Sequence, residues 1–283
     1  MHYSIKETLQ QGAEQLAISG INTATLDARI LLEFVTGLST EKLLLNFDSA
    51  LAGTQGEHYK SLIARRCKFE PVAYITEMKE FYSLNFTINH KVLIPRPDSE
   101  VLVDTALKYA KAIGATNILE FGVGSGCLLL SILYHLQPTI CATAIDISAD
   151  AIEITRQNYQ KIGLKNPINY LVQNWGNNLI EQYDLIIVNP PYIESNKIAT
   201  LQAEVRNFEP KLALDGGIDG LNCYREISHQ LSSILAVDGV VLFEIGKGQK
   251  SVVSKILQSC NLQVIDYVYD LANIVRCLVI KRS

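Results

Sequence analysis

The sequence predicts an α/β fold in which a largely parallel sheet of seven strands follows a small helical bundle. Residues 4–74 place apolar side chains at the spacing of amphipathic helices. From residue 98 onward, helical segments alternate with short apolar runs that are typical of buried strands. Regular alternation of this kind favours parallel strands with helices on both faces of the sheet.

The length of the chain, 283 residues, favours two domains. Hydrophobic residues make up 48% of the chain, which is enough to build sizeable cores, and charged residues make up 19%, which argues against extended disorder. We therefore expect a helical domain at residues 1–76, a hairpin linker at residues 77–92 and the α/β domain at residues 93–283.

The helical domain begins with a capping box, because Ser4 can cap the first turn while Glu7 reaches back to it. Gly37 marks the end of a second helix. The stretches at residues 39–47 and 57–69 predict a third and a fourth helix. Together these segments indicate a small bundle.

The segment "EFYSLNFTINHKVLI" changes the period, since alternate apolar residues indicate a strand or hairpin. After it, the apolar patterns define the elements of the α/β domain. The predicted helices are at residues 98–113, 127–136, 149–163, 223–236 and 249–259. The predicted strands are at residues 117–122, 141–147, 168–175, 184–189 and 239–246, followed by two closing strands.

The net charge of −4 does not favour stable binding of nucleic acid, because such proteins usually carry a basic excess. The six cysteines show no Cys-x-x-Cys pair and the five histidines no metal-ligand spacing, so we expect free thiols and no metal. No apolar run approaches the roughly 18 residues of a membrane span. The start "MHYSIKETLQQG" resembles neither a signal nor a transit peptide. We expect a soluble, cytoplasmic monomer.

The stretch "DLIIVNPPYIES", residues 184–195, ends a predicted strand on Asn-Pro-Pro-Tyr. Proline lacks a backbone N–H and cannot continue a central strand, so the strand ends at Asn189 or earlier. A residue before proline prefers extended geometry, which directs Asn189 forward from the tip of the strand. A carboxamide, two carbonyls and the ring of Tyr192 thus meet where open α/β sheets bind ligands.

The stretch "LEFGVGSGCLLL" places Gly122, Gly124 and Gly126 between a predicted strand and a predicted helix. The dinucleotide fingerprint would require glycine where Cys127 stands. The G-x-G-x-G spacing instead resembles the first motif of S-adenosylmethionine-dependent methyltransferases. Asp146 ends the next predicted strand, where nucleotide sites keep a carboxylate for ribose hydroxyls.

Asn-Pro-Pro-Tyr suits a planar group that carries two N–H donors, such as an amide or an aryl amine. The side-chain oxygen of Asn189 and the carbonyl of Pro190 can each accept one N–H, which leaves the nitrogen lone pair directed at a methyl donor. Tyr192 can stack on the planar group. The fixed φ of proline presents the carbonyls rigidly, so orientation is set before reaction.

Five motifs in order, "IPRPDSE", "FGVGSG", "AIDIS", "NPPYI" and "FEPKLALDGGIDGLNCYREI", make the chain similar to HemK-type release-factor glutamine methyltransferases. The resemblance covers essentially the whole chain. It implies a Rossmann-like class I methyltransferase domain that uses S-adenosyl-L-methionine and releases S-adenosyl-L-homocysteine. The implied substrate is the glutamine side-chain nitrogen N5 in the Gly-Gly-Gln motif of class 1 peptide chain release factors.

The same resemblance implies roles for individual residues. Asn189, Pro190 and Tyr192 would be catalytic, and these three with Pro191 and Arg96 would bind the substrate. The implied cofactor-binding residues are Glu120, Gly122, Val123, Gly124, Ser125, Gly126, Asp146, Asn174, Trp175 and Asn189.

Four of these residues depart from the family pattern or carry an alternative role. The family often has aspartate in place of Glu120 and Asn174, and Asn174 can still accept from the adenine amine through its amide oxygen. Arg96 orients the substrate or pairs with Asp98 or Glu100. Trp175 lies by the adenine or simply packs in the core.

Alternatives of other kinds also remain open at this stage. A DNA or RNA amine methyltransferase would act on the same planar two-donor group, but it would need a basic groove. A ribosomal-protein glutamine methyltransferase is a closer alternative, and "RPDSE" favours the release-factor branch over it. A non-catalytic cofactor-binding module is the third. For the leading function, the helical domain is expected to recognise the release factor.

Overall fold

The computed structural model describes residues 4–176 and 179–283, which form two compact units. The first unit joins the residues up to Met78 with the later segment Gln202–Phe208. The second contains Lys79–Leu201 and Glu209–Ser283. This division falls inside the predicted linker at residues 77–92, whose role as a linker stays a prediction. None of the helices in the described residues is long and apolar enough to cross a membrane.

The first unit is helical, as the sequence predicts. Its N-terminal helix is capped by Ser4, whose side chain accepts from the backbone N–H of Glu7, and the Glu7 carboxylate accepts in return from Ser4. The second helix ends at Gly37 in the left-handed conformation. The helices of this part of the chain are α1 (Ile5–Ile18), α2 (Ala24–Thr36), α3 (Thr40–Leu45), α4 (Gly53–Arg66) and α5 (Val72–Ile75).

The core of the first unit contains a buried ion pair among apolar side chains. Arg66, at the end of α4, is 2% exposed and donates from Nε to the Oδ2 atom of Asp27 at 2.7 Å. Its Nη2 atom lies 2.5 Å from Oε1 of Glu204, which belongs to the later segment of this unit. A buried guanidinium is tolerated when carboxylates pair with it in this way.

The second unit alternates strands and helices after a short hairpin. The hairpin strands begin where the sequence pattern changes from helical spacing to alternation. The elements of the later chain are β1 (Met78–Phe81), β2 (Leu84–Thr87), α6 (Glu100–Ile113), β3 (Asn117–Phe121), α7 (Cys127–Tyr134), β4 (Cys141–Asp146), α8 (Ala149–Ile162), β5 (Ile168–Val172), β6 (Tyr183–Val188), α9 (Ala203–Phe208), α10 (Asn222–Ile234), β7 (Leu235–Glu244), α11 (Lys250–Ser259), β8 (Leu262–Tyr269) and β9 (Val275–Arg282).

Strands β3 to β9 form the seven-stranded sheet that the sequence predicts, in the order β5-β4-β3-β6-β7-β9-β8. The first five strands of this order are parallel, and β9 is antiparallel to both of its neighbours. The chain runs outward from β3 to β5 and then returns to β6 on the other side of β3. Such a reversal of strand order opens a crevice at the carboxyl ends of the strands.

The predicted end of β6 at the Pro-Pro sequence is confirmed, whereas the predicted end of β5 and the predicted start of β7, which begins already at Leu235, are wrong. Strand β6 ends at Val188, one residue before Asn189, as the prolines require. The strand predicted at residues 168–175 ends already at Val172. Trp175 instead adopts a positive φ of 47°, which a strand cannot contain.

Candidate functional site

The strand ends that meet in the crevice carry the predicted site residues. Phe121, the last residue of β3, is in register with Ile145 of β4 on one side and Val188 of β6 on the other. The next residues therefore lie side by side at one edge of the sheet, which brings Gly122, Asp146 and Asn189 together. A cavity of about 440 Å³ opens at this edge.

The glycine loop follows β3 and needs its glycines for backbone conformation. Gly122, Gly124 and Gly126 have φ values of 68°, 57° and 80°, which residues with a side chain rarely adopt. A Cβ atom on Gly126 would also approach Leu130 and Thr155 to 2.9 Å. Around Gly124 the nearest such contact is the Gly122 carbonyl oxygen at 4.0 Å, so this position opens toward the cavity that it lines.

The backbone carbonyls of the loop are held by two buried side chains of α8 that sequence reasoning missed. The Thr155 hydroxyl donates to the Gly124 carbonyl at 3.0 Å, and the Asn158 amide donates to the Ser125 carbonyl at 2.8 Å. Asn158 also exchanges hydrogen bonds with the backbone of Thr87 in the hairpin, at 2.7 and 2.9 Å. The available signal was a pair of polar residues on the apolar stripe of a predicted helix.

Asp146 fixes the same loop and faces the cavity. Its Oδ2 atom accepts from the Gly124 backbone N–H and its Oδ1 atom from that of Ser148, both at 2.9 Å. Burial raises the pKa of Asp146, and the hydrogen bonds to its carboxylate oppose that rise. An ionised carboxylate has about four lone-pair sites, so capacity remains for two hydroxyl donors of a ribose.

Glu120 lies below the glycine loop and is 2% exposed. Its Oε2 atom accepts from the backbone N–H of Leu129 in α7 at 2.9 Å. Burial raises the pKa of Glu120 well above its usual range, and this hydrogen bond only partly offsets the rise. The side chain lines the cavity, as a cofactor-binding residue would.

Trp175 and Asn174, which follow β5 in the chain, line the cavity. The Trp175 ring packs edge-on against Phe121, with centroids 6.4 Å apart, and its Nε1 donates to the carboxylate of Glu226 at 2.9 Å. The Trp175 ring also comes within 3.8 Å of where a Cβ on Gly122 would lie. Trp175 therefore both packs against the core and lines the cavity, and its contact with an adenine stays a prediction.

Asn189 stands at the tip of β6 and borders the cavity. Its carboxamide nitrogen donates to the hydroxyl of Ser99 at 3.4 Å. Ser99 is 2% exposed and lies in the turn before α6, 90 residues away in sequence. The amide nitrogen therefore faces Ser99, and Oδ1, the other terminal atom of the carboxamide, faces away from Ser99.

The backbone of Tyr192 lies against two glycines, and its carbonyl accepts a hydrogen bond. A Cβ on Gly216 would lie 2.8 Å from the Tyr192 Cα, and one on Gly220 would lie 2.5 Å from the Tyr192 carbonyl oxygen. The Gln249 amide donates to that carbonyl at 3.1 Å. Burial raises the pKa of Tyr192 to about 12, so its phenol keeps its proton at neutral pH. Gly216 and Gly220 thus leave room for the backbone of Tyr192.

The pairing predicted for Arg96 is wrong. Arg96 lies 2.5 Å from the carboxylate of Glu209, which is 6% exposed and follows α9. Asp98 pairs instead with Arg276 at 2.7 Å, and Glu100 accepts from the backbone N–H of Tyr82 at 3.0 Å. The long separation of Arg96 and Glu209, 113 residues, explains why neighbouring carboxylates looked more plausible. Contact of Arg96 with a substrate stays a prediction.

The structure brings most of the predicted site residues to one cavity. Gly126, Pro190 and Tyr192 are the neighbours of lining residues within the same two loops. The predicted residues that line the cavity are Arg96, Glu120, Gly122, Val123, Gly124, Ser125, Asp146, Asn174, Trp175, Asn189 and Pro191.

These residues fit an adenosyl cofactor by their chemistry. The open position at Gly124 gives backbone access without a side chain. The Asp146 carboxylate suits two ribose hydroxyls, and the indole of Trp175 suits a flat base. The arrangement can thus place a methyl donor next to the carboxamide of Asn189.

Family models match both parts of the chain. The PrmC N-terminal domain matches residues 7–76. The methyltransferase small domain matches residues 97–217, the region that contains the glycine loop, Asp146 and Asn189.

Curated relatives match nearly the whole chain. A bifunctional methyltransferase of Rickettsia felis is 39% identical over 92% of this chain and 54% of its own length. The chain thus spans about half the length of the bifunctional relatives that it matches. A release factor glutamine methyltransferase of Agrobacterium fabrum is 35% identical over 99% of this chain and 98% of its own length.

A solved structure supports the fold of the second unit. A methyltransferase from Pyrococcus furiosus superposes with a TM-score of 0.52 at 16% identity, over 71% of this chain and 90% of its own. At this identity the likeness concerns the fold alone.

Proposed function

We propose, because this chain belongs to the family of release factor glutamine methyltransferases, that it transfers a methyl group from S-adenosyl-L-methionine to a glutamine side chain. The acceptor atom is N5 of the glutamine in the Gly-Gly-Gln motif of class 1 peptide chain release factors. The observation that carries this proposal is the carboxamide of Asn189 at the tip of β6, on the wall of a cavity bordered by the glycine loop and Asp146.

The substrate amide has two N–H donors, and the site offers two acceptors for them. The Asn189 Oδ1 atom takes one N–H and the Pro190 carbonyl takes the other. Because Asn189 Nδ2 is engaged with Ser99, its oxygen is the branch presented to the substrate. Both donors are then fixed, and the nitrogen lone pair projects out of the amide plane toward the methyl donor.

The cofactor supplies an electrophilic methyl group on a sulfonium, and the chain's own residues hold it. When the cofactor is bound, Asp146 would accept from the ribose hydroxyls, Trp175 and Asn174 would hold the adenine, and the Gly122–Gly126 backbone would hold the methionine part. Asp146 also anchors the glycine loop through the Gly124 N–H. Loss of its carboxylate would therefore weaken both the ribose contacts and the loop.

In the transfer, the glutamine nitrogen forms a bond to the methyl carbon while the carbon–sulfur bond breaks. The sulfur keeps that electron pair and becomes the uncharged thioether of S-adenosyl-L-homocysteine. The nitrogen then loses one proton to solvent, which restores the neutral amide. Asn189 and Pro190 act by holding the amide in the reactive orientation, a contribution that costs no reorganisation during the step.

A methyl-transfer assay with a matched substrate tests the proposal. The purified chain is incubated with labelled S-adenosylmethionine and a class 1 release factor, and in parallel with the same factor carrying Gln→Ala in its Gly-Gly-Gln motif. We expect one methyl group on that glutamine, located by mass spectrometry, and none on the variant. Label on the variant, or preferential labelling of ribosomal protein or DNA, would contradict the proposal.

We further propose that residues 1–76 bind the body of the release factor. A single glutamine offers little surface, so specificity must come from contacts remote from the reacting atom. The exposed leucines of α3 support this role, because Leu44 and Leu45 are 55% and 85% exposed. Leu45→Asp in the full chain should raise KM for release factor several-fold and leave cofactor affinity unchanged. Val237→Asp, at a 79% exposed position in the second unit, is the control and should leave KM unaltered.

We also propose that the chain acts as a monomer in the cytoplasm and forms no stable complex with nucleic acid. Its net charge of −4 supports the latter point. Light scattering at micromolar concentration should give the mass of one chain, with or without added RNA. A dimer mass or a comigrating RNA would contradict this proposal.

A further inference from the structure

Glu244 is a buried carboxylate beside the proposed reaction site that the steps above do not use. It is the last residue of β7 and is 3% exposed. Phe243 pairs in register with Val188 of β6, so Glu244 lies alongside Asn189 at the same edge of the sheet. Its Oε2 atom is buried and has no hydrogen-bond partner in residues 4–176 and 179–283. A charge placed there needs a reason, because burying it is costly.

Two hydroxyl groups at the site act on this carboxylate. The hydroxyl groups of Ser99 and Tyr192 both lower the pKa of Glu244, and so oppose the effect of burial. Ser99 is also the group that accepts from the Asn189 carboxamide at 3.4 Å. The chain of contacts therefore runs from Glu244 through Ser99 to Asn189.

The protons on Glu244 and Ser99 determine which way the Asn189 amide points. A hydroxyl has one proton to donate and lone pairs with which to accept. When Ser99 gives its proton to the Glu244 carboxylate, its oxygen can only accept from Asn189. The nitrogen of the carboxamide must then face Ser99, and Oδ1 faces the cavity.

We propose that Glu244 is a positioning residue for methyl transfer: in its ionised form it takes the Ser99 proton, and Ser99 then holds the Asn189 carboxamide with Oδ1 toward the substrate amide. This inference rests on the proposed function, since the role of Oδ1 as acceptor does. A protonated Glu244 instead donates to Ser99. The Ser99 proton is then turned toward Asn189, which favours an amide with its nitrogen facing the substrate donors.

The surroundings of Glu244 place this change near neutrality. Burial raises its pKa to about 7. Arg276 lowers the pKa and Asp98 raises it, and these two form an ion pair at 2.7 Å. The other titratable groups near Glu244 are Tyr192, Tyr224, whose hydroxyl donates to the Glu244 carbonyl, Cys277, opposite Glu244 on β9, and Cys127.

An NMR titration reports the orientation of Asn189 without requiring methyl transfer. The full chain is labelled with ¹⁵N-asparagine and saturated with S-adenosyl-L-homocysteine, and the Asn189 side-chain signal is assigned by its loss in Asn189→Ala. We expect its shift to titrate with a midpoint of about 7 in the unaltered chain. The step should vanish in Glu244→Gln and in Ser99→Ala. Cys277→Ala, which changes a buried neighbour on the adjacent strand, should keep it.

The kinetic counterpart is the pH dependence of turnover. In the unaltered chain, kcat should rise through the same midpoint as Glu244 ionises. Glu244→Gln should lower kcat roughly tenfold or more, as misplaced groups commonly do, and its profile should lose that rise while KM for the cofactor is unchanged. Glu244→Asp should restore part of the turnover and the pH dependence.

Specific outcomes would overturn the inference. An Asn189 signal that does not titrate through neutrality, or that titrates identically in Glu244→Gln, would contradict it even if release factor is methylated. Conversely, a titration that depends on Glu244 and Ser99 in a chain that methylates no release factor would support the coupling and contradict the proposed substrate alone.

Discussion

The two loops that border the cavity are held in different ways. The glycine loop after β3 takes its shape from its own backbone, with three glycines at positive φ. Its Gly124 N–H donates to Asp146, and its Gly124 carbonyl accepts from Thr155 of the neighbouring α8. The Asn-Pro-Pro-Tyr loop after β6 is held by side chains from distant parts of the chain. Ser99 contacts Asn189, and Gln249 holds the carbonyl of Tyr192.

This difference indicates how each loop can be damaged. Substitutions that restrict the backbone of the glycine loop should weaken cofactor binding, because that loop approaches its ligand with main-chain atoms. Changes to single side chains, including some far away in sequence, should affect the orientation of the substrate amide and leave the cofactor in place. Variants that separate turnover from cofactor affinity test the contrast.

The largest effect is expected at the substrate loop, from Asn189→Ala. One of two acceptors for the substrate amide is lost, so kcat should fall by a factor of roughly 100 or more. Cofactor affinity, measured by calorimetry, should change far less. Asn189→Asp keeps an acceptor of similar shape and should retain activity above that of Asn189→Ala. Equal inactivity of both folded variants would contradict the acceptor geometry, and Asn169→Ala, at an exposed position on β5, serves as the control.

At the cofactor loop, we expect Gly124→Val to abolish detectable binding of S-adenosylmethionine while the fold survives. The valine side chain would enter the cavity, and its backbone would be strained at a φ of 57°. Gly163→Val is the matched control, because Gly163 has a φ of 80° with open space around it and caps α8. It should cost stability of about 1 kcal/mol and leave affinity unchanged. Normal calorimetric binding by Gly124→Val would refute the loop assignment.

A smaller effect should follow from Gln249→Met, which removes the support of the substrate loop. The Gln249 side chain donates to the Tyr192 carbonyl and accepts from the Gly246 N–H at 2.9 Å. We expect kcat to fall roughly tenfold through misplacement of the loop, with cofactor affinity nearly unchanged. The control is Gln258→Met, at an exposed position in α11, the helix that Gln249 caps. Parallel losses of cofactor affinity and turnover would argue against separate support of the two loops.

The last effect concerns stability and its pH dependence, and it is measured apart from turnover. Burial raises the pKa of Glu244 from 4.5 to about 7, so the folded chain holds a proton that the unfolded chain has released. The protonated Glu244 carboxyl contributes stability to the folded chain that is fully present below the unfolded pKa. This contribution, in total roughly 3 kcal/mol, is lost as pH rises through the folded pKa. Glu244→Gln should thus raise the thermal unfolding temperature near pH 8 by several degrees and change it little near pH 5.

The matched control is Glu153→Gln on α8, an exposed position, which should show no such gain at either pH. Equal unfolding temperatures of Glu244→Gln and the unaltered chain near pH 8 would contradict the buried charge. A variant that is more stable but slower would fit a residue kept for function at the expense of stability.

The contrast between the loops also explains what the sequence could predict. Strand periodicity, the glycine spacing and the Pro-Pro stop are local patterns, and they located β3, β6 and the residues at their tips. The partners of the substrate loop are separated from it by 90 residues for Ser99 and 57 for Gln249. Ser99 and Gln249 are ordinary polar residues in sequence, and only the folded chain brings them to the loop.

The same limit applies to charges. Closeness in sequence favours Asp98 or Glu100 as the partner of Arg96, yet the observed partner, Glu209, comes from a distant segment. Burial decides this choice, since Glu209 is almost inaccessible to solvent and needs a cation nearby. Sequence spacing carries no information on burial of that kind, so geometry was needed to assign the pair.

The discontinuous helical unit has a consequence during synthesis on the ribosome. The Arg66–Glu204 ion pair joins residues that are 138 positions apart in the chain. At translation rates of roughly 5–20 residues per second, Glu204 is made some 7–28 s after Arg66. For that interval Asp27 is the one of the two carboxylates paired with Arg66 in the described residues that has been made, and α9 has not yet been made. The N-terminal unit therefore completes its folding late, after much of the sheet that follows it has already been translated.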